Sequence, residues 1–98
     1  MFEEIKDHID SVYDEQYMAI TSAVVAEVVR QEIKYGLHSE RNLSIAEYIL
    51  IMEAELAEAK DGLIRGKTDE HSALNEIEQV AASAMACLKQ HTDEGNGT

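Results

Sequence analysis

The sequence predicts an all-α fold, a helical bundle of long amphipathic helices in a single domain, and three observations carry that expectation. No proline occurs in the 98 residues, and glycine falls mainly at plausible breaks. The remainder is rich in Ala, Glu, Leu and Ile, and its apolar residues recur at helical spacing. With 45% apolar and 29% charged residues the composition is that of one globular unit, and no repeat or linker divides it. The domain is expected over residues 1–91, with a disordered tail over 92–98.

The first helical region is expected over about residues 2–35. Phe2, Ile5, Ile9 and Val12 form one stripe, and Ile20, Val24 and Val28 continue an apolar face, with a break available near Asp14 and Glu15. The run VVAEVV is short and β-branched, as a strand would be. However, no turn residues bracket it, and Val24, Val25, Val28 and Val29 sit at helical spacing. Gly36 then supplies a stop, and HSERNL reads as a loop.

The second helix opens on a capping box, Ser44 with Glu47 three residues later, flanked by Leu43 and Tyr48 as a hydrophobic staple. Its core stripe is expected to be Ile45, Ile49, Met52, Leu56, Ala59 and Leu63, with Gly66 closing it and KTDE turning the chain. The third helix carries Leu74, Ile77, Ala81, Ala84 and Leu88 and is expected to end near Gln90. Heptad-like seams joined by short connections make a bundle. Helices with apolar faces this broad leave much apolar surface in a single chain, so homo-oligomerisation is expected to complete the bundle.

A formal charge of −12 with only eight Lys and Arg argues against a nucleic-acid groove, which needs clustered cations to meet phosphates. Acidity of this kind suits a divalent metal held by carboxylates, or an acidic surface that occupies a basic partner. No run reaches the roughly 18–20 apolar residues of a membrane helix, and the N-terminus begins with acids, so no membrane partner and a cytoplasmic location are expected. The lone Cys87, within AMACL, reads as a buried small hydrophobe in a reducing compartment. His8, His38, His71 and His91 show no zinc-site spacing, and His71 reads as a helix-start residue.

Chemistry is concentrated in a few side chains. Glu55 and Glu58 share a helix face on a row with Ile51 and Gly62, beside the apolar stripe and not opposite it. On the next helix Glu76 and Gln79 share a face with Ala73, Val80 and Ser83. Antiparallel packing of the two helices brings these clusters together. Convergent carboxylates repel, and a hard cation such as Mg²⁺ resolves the repulsion. An E-x-x-E pair alone is equally at home on a solvated helix face. In RQEIKYG, Arg30 and Lys34 lie four apart as possible phosphate ligands, and Tyr35 is placed to stack on a base; the same two cations also suit a helix C-terminus on dipole grounds. Lys60 is a more remote phosphate candidate.

The segments RQEIKYG, SIAEYILIMEAELAEAK and HSALNEIEQVAASAMACLKQH together resemble the MazG-like branch of the all-α nucleoside triphosphate pyrophosphohydrolases, in particular small phage and prophage members, over roughly residues 30–91. The family pairs an E-E-x-x-E motif on one helix with E-x-x-D on the next, and both bind Mg²⁺. The first motif falls on Ala54, Glu55 and Glu58, the second on Glu76 and Gln79. Ala54 and Gln79 depart from the pattern, which leaves three carboxylates and lowers the expected metal affinity.

The resemblance implies cleavage of a nucleoside triphosphate into monophosphate and pyrophosphate. Mg²⁺, or Mn²⁺, would be held by Glu55, Glu58 and Glu76, with Gln79 orienting the attacking water or bonding one on the metal. It also implies that Arg30, Lys34 and Tyr35 lie near the substrate, and that the chain works as a homodimer or a dimer of dimers. Two other readings stand beside it: a non-catalytic helical module that binds a nucleotide or protein through a degenerate metal site, and an acidic decoy for a nucleic-acid-binding protein.

Overall fold

Asp14 divides the first helical region. Its backbone is extended (φ −106°, ψ −171°), and its carboxylate accepts the N–H groups of Gln16 at 3.1 Å and Tyr17 at 3.2 Å, the geometry of an N-cap. Helix α1 (Phe2–Val12) therefore stops before it and α2 (Glu15–Tyr35) starts after it. The computed structural model describes residues 2–12, 14–36 and 42–96. Most of the expected 38–43 loop, with His38, falls outside these residues, as do the side chains of Phe2 and Val12.

Helix α2 ends at Gly36, whose N–H bonds the Glu32 carbonyl at 2.8 Å. The Ser44 hydroxyl and the Glu47 backbone pair at 3.1 Å, and the Glu47 carboxylate accepts the Ser44 N–H at 3.1 Å. This capping box starts α3 (Ile45–Arg65) and holds the Glu47 carboxyl below its usual range through the Ser44 backbone bond. At the far end Gly66 adopts the left-handed conformation (φ +66°), which a side chain would strain. The Gly66 N–H reaches the Leu63 carbonyl and the Lys67 N–H the Gly62 carbonyl, closing the helix in a Schellman turn. Asp69 then accepts the His71 N–H at 2.9 Å, Ser72 accepts the Asn75 N–H at 3.3 Å, and α4 (Ala73–Asn96) begins.

The described residues contain helices and turns and no strand, as expected of an all-α chain. Among the described residues no helix is long and apolar enough to cross a membrane. Helix α4 is central: it packs most extensively against α3, and also against α2. The α3–α4 pair is antiparallel. At one end the Tyr48 hydroxyl donates to Gln90 Oε1 at 2.9 Å, and His91 Nε2 lies 2.9 Å from the Leu43 carbonyl. At the other end, a Cβ built on Gly62 would stand 2.5 Å from the His71 carbonyl oxygen. On the α3 side the buried residues near this end are Ala59 and Gly62, small enough for the backbones to come this close.

The structure departs from expectation in three places. The buried row of α3 runs through Tyr48, Ala59 and Gly62, with Glu55 half-buried between them; of the expected stripe Ala59 is buried, while the rest of the row lies about one residue out of register. Ile45, Ile49, Leu56 and Leu63 are about half exposed or more, and Leu63 is 74% exposed. On α4 the buried residues are Glu76, Ala82, Ser83 and Ala86, while Leu74, Ile77 and Leu88 face outward. Small residues let the backbones meet closely near Gly62, and apart from the buried Tyr48 these bulky side chains are left on the outer faces. Second, α4 continues to Asn96, six residues past the expected end at Gln90. Polar residues after Gln90 end the apolar stripe, but nothing among them stops the backbone ladder until the glycine-rich end. Third, Cys87 is only half-buried.

The accessible surface is 7456 Å², against about 5,600 Å² for a compact monomer of this mass. The radius of gyration is 15.6 Å, against about 13 Å for a compact chain of this length. Helix α1 contributes to the excess, since among the described residues it makes no extensive contact with the other helices and leaves Ile5 and Ile9 more than half exposed.

Candidate functional site

A cavity of about 790 Å³ opens between α2, α3 and α4. Seven of the residues singled out in the sequence line it: Glu55 and Glu58 from α3, Glu76 and Gln79 from α4, and Arg30, Lys34 and Tyr35 from α2. The helical spacing and the antiparallel hairpin together bring these groups to one place. Ala54 is exposed and outside the lining, and so are Glu53 and Lys60.

The carboxylates at the base are poorly solvated. Glu55 is half-buried, and its Oε1 is buried without a hydrogen-bond partner. Burial, against a hydrogen bond from Ser83 and reinforced by the charges of Glu76, Glu58 and Glu27, pushes its carboxyl up to about 7. Glu76 is only 1% exposed. Its Oε1 lies 3.4 Å from His71 Nδ1, and its Oε2 is buried and unpartnered. Burial raises the Glu76 carboxyl first and the neighbouring Glu58 raises it further, while His71 opposes the shift. Two orphaned carboxylate oxygens in one wall are costly, because a buried polar atom without a partner forfeits its hydration. Among the described residues, however, no three acidic, His or Cys side chains converge closely enough to hold a metal as they stand.

The cationic wall is also preoccupied. Arg30 Nη2 lies 2.6 Å from Glu27 Oε1, and the Lys34 ammonium sits 5.1 Å from the centroid of the Tyr35 ring. A stacking base would therefore compete with Lys34 for that ring face.

No protein-family model matches the chain, and no curated protein and no solved structure is significantly similar to it. The site thus rests on its own geometry.

Further residues line the cavity, among them Glu27, on which the sequence reading places nothing, and Tyr48, His71 and Ser83, which it reads as a staple residue, a helix-start residue and a neighbour of Glu76 on one helix face. Glu27 had a local signal, since it falls three residues before Arg30 and seven before Lys34 on the same helix face. His71 had none, because its contact with Glu76 depends on how the Lys67–Ser72 turn folds back.

Proposed function

We propose that this chain is a Mg²⁺-dependent nucleoside triphosphate pyrophosphohydrolase that cleaves a ribo- or deoxyribonucleoside triphosphate to the monophosphate and pyrophosphate. The observation that carries the reading is the pair of buried, unpartnered oxygens on Glu55 and Glu76, facing a cavity whose opposite wall bears Arg30 and Lys34. Oxygen-only donors suit a hard ion, Mg²⁺ or Mn²⁺, and the orphaned oxygens fit that demand. The resemblance of residues 30–91 to MazG-like proteins supports the same reading.

Glu55, Glu58 and Glu76 would hold the ion. Bound there, it would supply charge neutralisation for the phosphates and a polarised water. The chain's own residues do the rest. Arg30 and Lys34 bind phosphate oxygens, Tyr35 covers the base, and Gln79 orients the attacking water. The water oxygen bonds to phosphorus as the bridge between the α and β phosphates breaks. A carboxylate of the cavity takes the proton, and pyrophosphate leaves.

The reading includes self-association in the cytoplasm. Surface in excess of a compact monomer by about 1,900 Å² is on the scale that an obligate interface removes. The outward Ile45, Ile49, Leu56 and Leu63 row supplies its apolar face.

The decisive assay is release of pyrophosphate and monophosphate from a panel of nucleoside triphosphates with Mg²⁺ or Mn²⁺, beside Glu58→Gln and Glu55→Gln. Wild-type release that falls roughly 100-fold in either variant, with helix content unchanged, is the expected result. Turnover unaffected in both would remove the carboxylate assignment. The second reading, a binding module without turnover, is favoured by the lack of convergence among the carboxylates; nucleotide retained intact by a folded protein would establish it.

A further inference from the structure

We propose that Glu27 is a positioning residue: it holds the Arg30 guanidinium at the mouth of the carboxylate cavity so that Arg30 engages the phosphate chain of the nucleotide. This inference rests on the pyrophosphohydrolase reading and adds to it a residue that acts through another.

An ion pair three residues apart on a helix normally lies on a solvated face, where both partners are exposed and the gain is a few tenths of a kcal/mol. This pair is lopsided. The Arg30 side chain is 65% exposed, and that of Glu27 only 14%. Glu27 is thus withdrawn into the α2 wall of the cavity that Glu55, Glu58 and Glu76 line from the other side, and its charge is felt at Glu55. A carboxylate in such a wall meets both desolvation and like charge. Only a tightly held cation offsets these, and the 2.6 Å contact to Arg30 is that cation.

The consequence falls on Arg30. A long side chain on an open helix face samples many rotamers, and ordering it on a ligand carries an entropic penalty. Anchoring one edge to Glu27 removes much of that penalty beforehand. The anchoring contact uses Nη2, whereas a guanidinium carries five N–H donors in a planar fork. The remaining edge can take phosphate oxygens while Glu27 keeps the first.

The test measures binding of a non-hydrolysable α,β-methylene nucleoside triphosphate with Mg²⁺, together with kcat and KM on the cleavable nucleotide. It uses the full chain as wild type, Glu27→Gln, Glu27→Asp, Arg30→Gln and the Glu27→Gln/Arg30→Gln double variant. Glu27→Gln is near isosteric, and Glu27→Asp keeps the charge should the amide perturb folding. Expected is an analogue Kd and a KM raised about 10-fold in Glu27→Gln, with kcat within about 2-fold. Glu27→Asp should recover part of the loss, and the double variant should bind no more weakly than Arg30→Gln alone.

Binding unchanged or tightened in Glu27→Gln would overturn the proposal, since Glu27 would then be idle or masking Arg30. Fully additive losses in the double variant would overturn it too. A fall in kcat that extra Mg²⁺ restores would make Glu27 a metal ligand instead. If wild type neither binds nor cleaves any nucleotide, the pyrophosphohydrolase reading fails and this inference fails with it; failure confined to the Glu27 variants leaves that reading standing.

Discussion

Burial holds the Glu55 carboxyl at about 7, above the 4.5 of an ordinary glutamate, and this has a definite sign for stability. Between those two values the folded chain binds more protons than the unfolded chain, so this residue's contribution to stability falls as pH rises through the window. Glu55→Gln removes the titration while keeping the shape. It should be more stable than wild type by about 1–2 kcal/mol at pH 8, a figure discounted for the solvent that reaches this half-buried side chain. The advantage should close towards pH 4.5, and urea unfolding at the two pH values measures it; a difference independent of pH would refute the account. At this scale the sequence exposed Glu55, Glu58, Glu76 and Gln79 because three-residue spacing is a local property of a helix. It was silent on the His71–Glu76 contact, which a turn creates, whereas the pairing that occupies Arg30 had a local signal in the three-residue spacing from Glu27.

The two ends of α3 were readable for the same reason. Capping at Ser44 and Glu47 and the stop at Gly66 are short-range chemistry, and the structure has both where the residues put them. The buried row was not, because amphipathic spacing shows that a face is apolar without showing what covers it. Large side chains drew the expected core towards Leu56 and Leu63, whereas α3 buries Ala59 and Gly62 towards its C-terminal end and one large side chain, Tyr48, at its start. Gly62 is the sharpest case. Ala in place of Gly ordinarily favours a helix by about 1 kcal/mol, yet here the added Cβ would meet the His71 carbonyl at 2.5 Å and the Ala73 nitrogen at 3.2 Å. Backbone atoms give little ground. Gly62→Ala should therefore destabilise by about 1–3 kcal/mol, read as a lowered Tm; an unchanged or raised Tm would mean that the hairpin has slack at this end.

For the molecule as a whole, charge and apolar surface act in opposition. Copies carrying −12 each repel one another, while the outward Ile49, Leu56 and Leu63 favour their association. Self-association should accordingly strengthen as salt screens the repulsion, and Leu56→Asp should shift the chain towards monomer with its helix content retained. Sedimentation at low and high ionic strength tests both, and a monomer under every condition would sink the self-association proposal. Binding to a basic partner would show the opposite salt dependence. The arrangement of the helices adds a mechanical consequence. Because α2 packs on α4 and scarcely touches α3 among the described residues, the cationic and carboxylate walls of the cavity are joined through one shared helix. The gap between the two walls is therefore a hinge coordinate: a rocking of α2 on its single support changes the reach from Arg30 to Glu55 while the α3–α4 hairpin, with its carboxylates, stays intact.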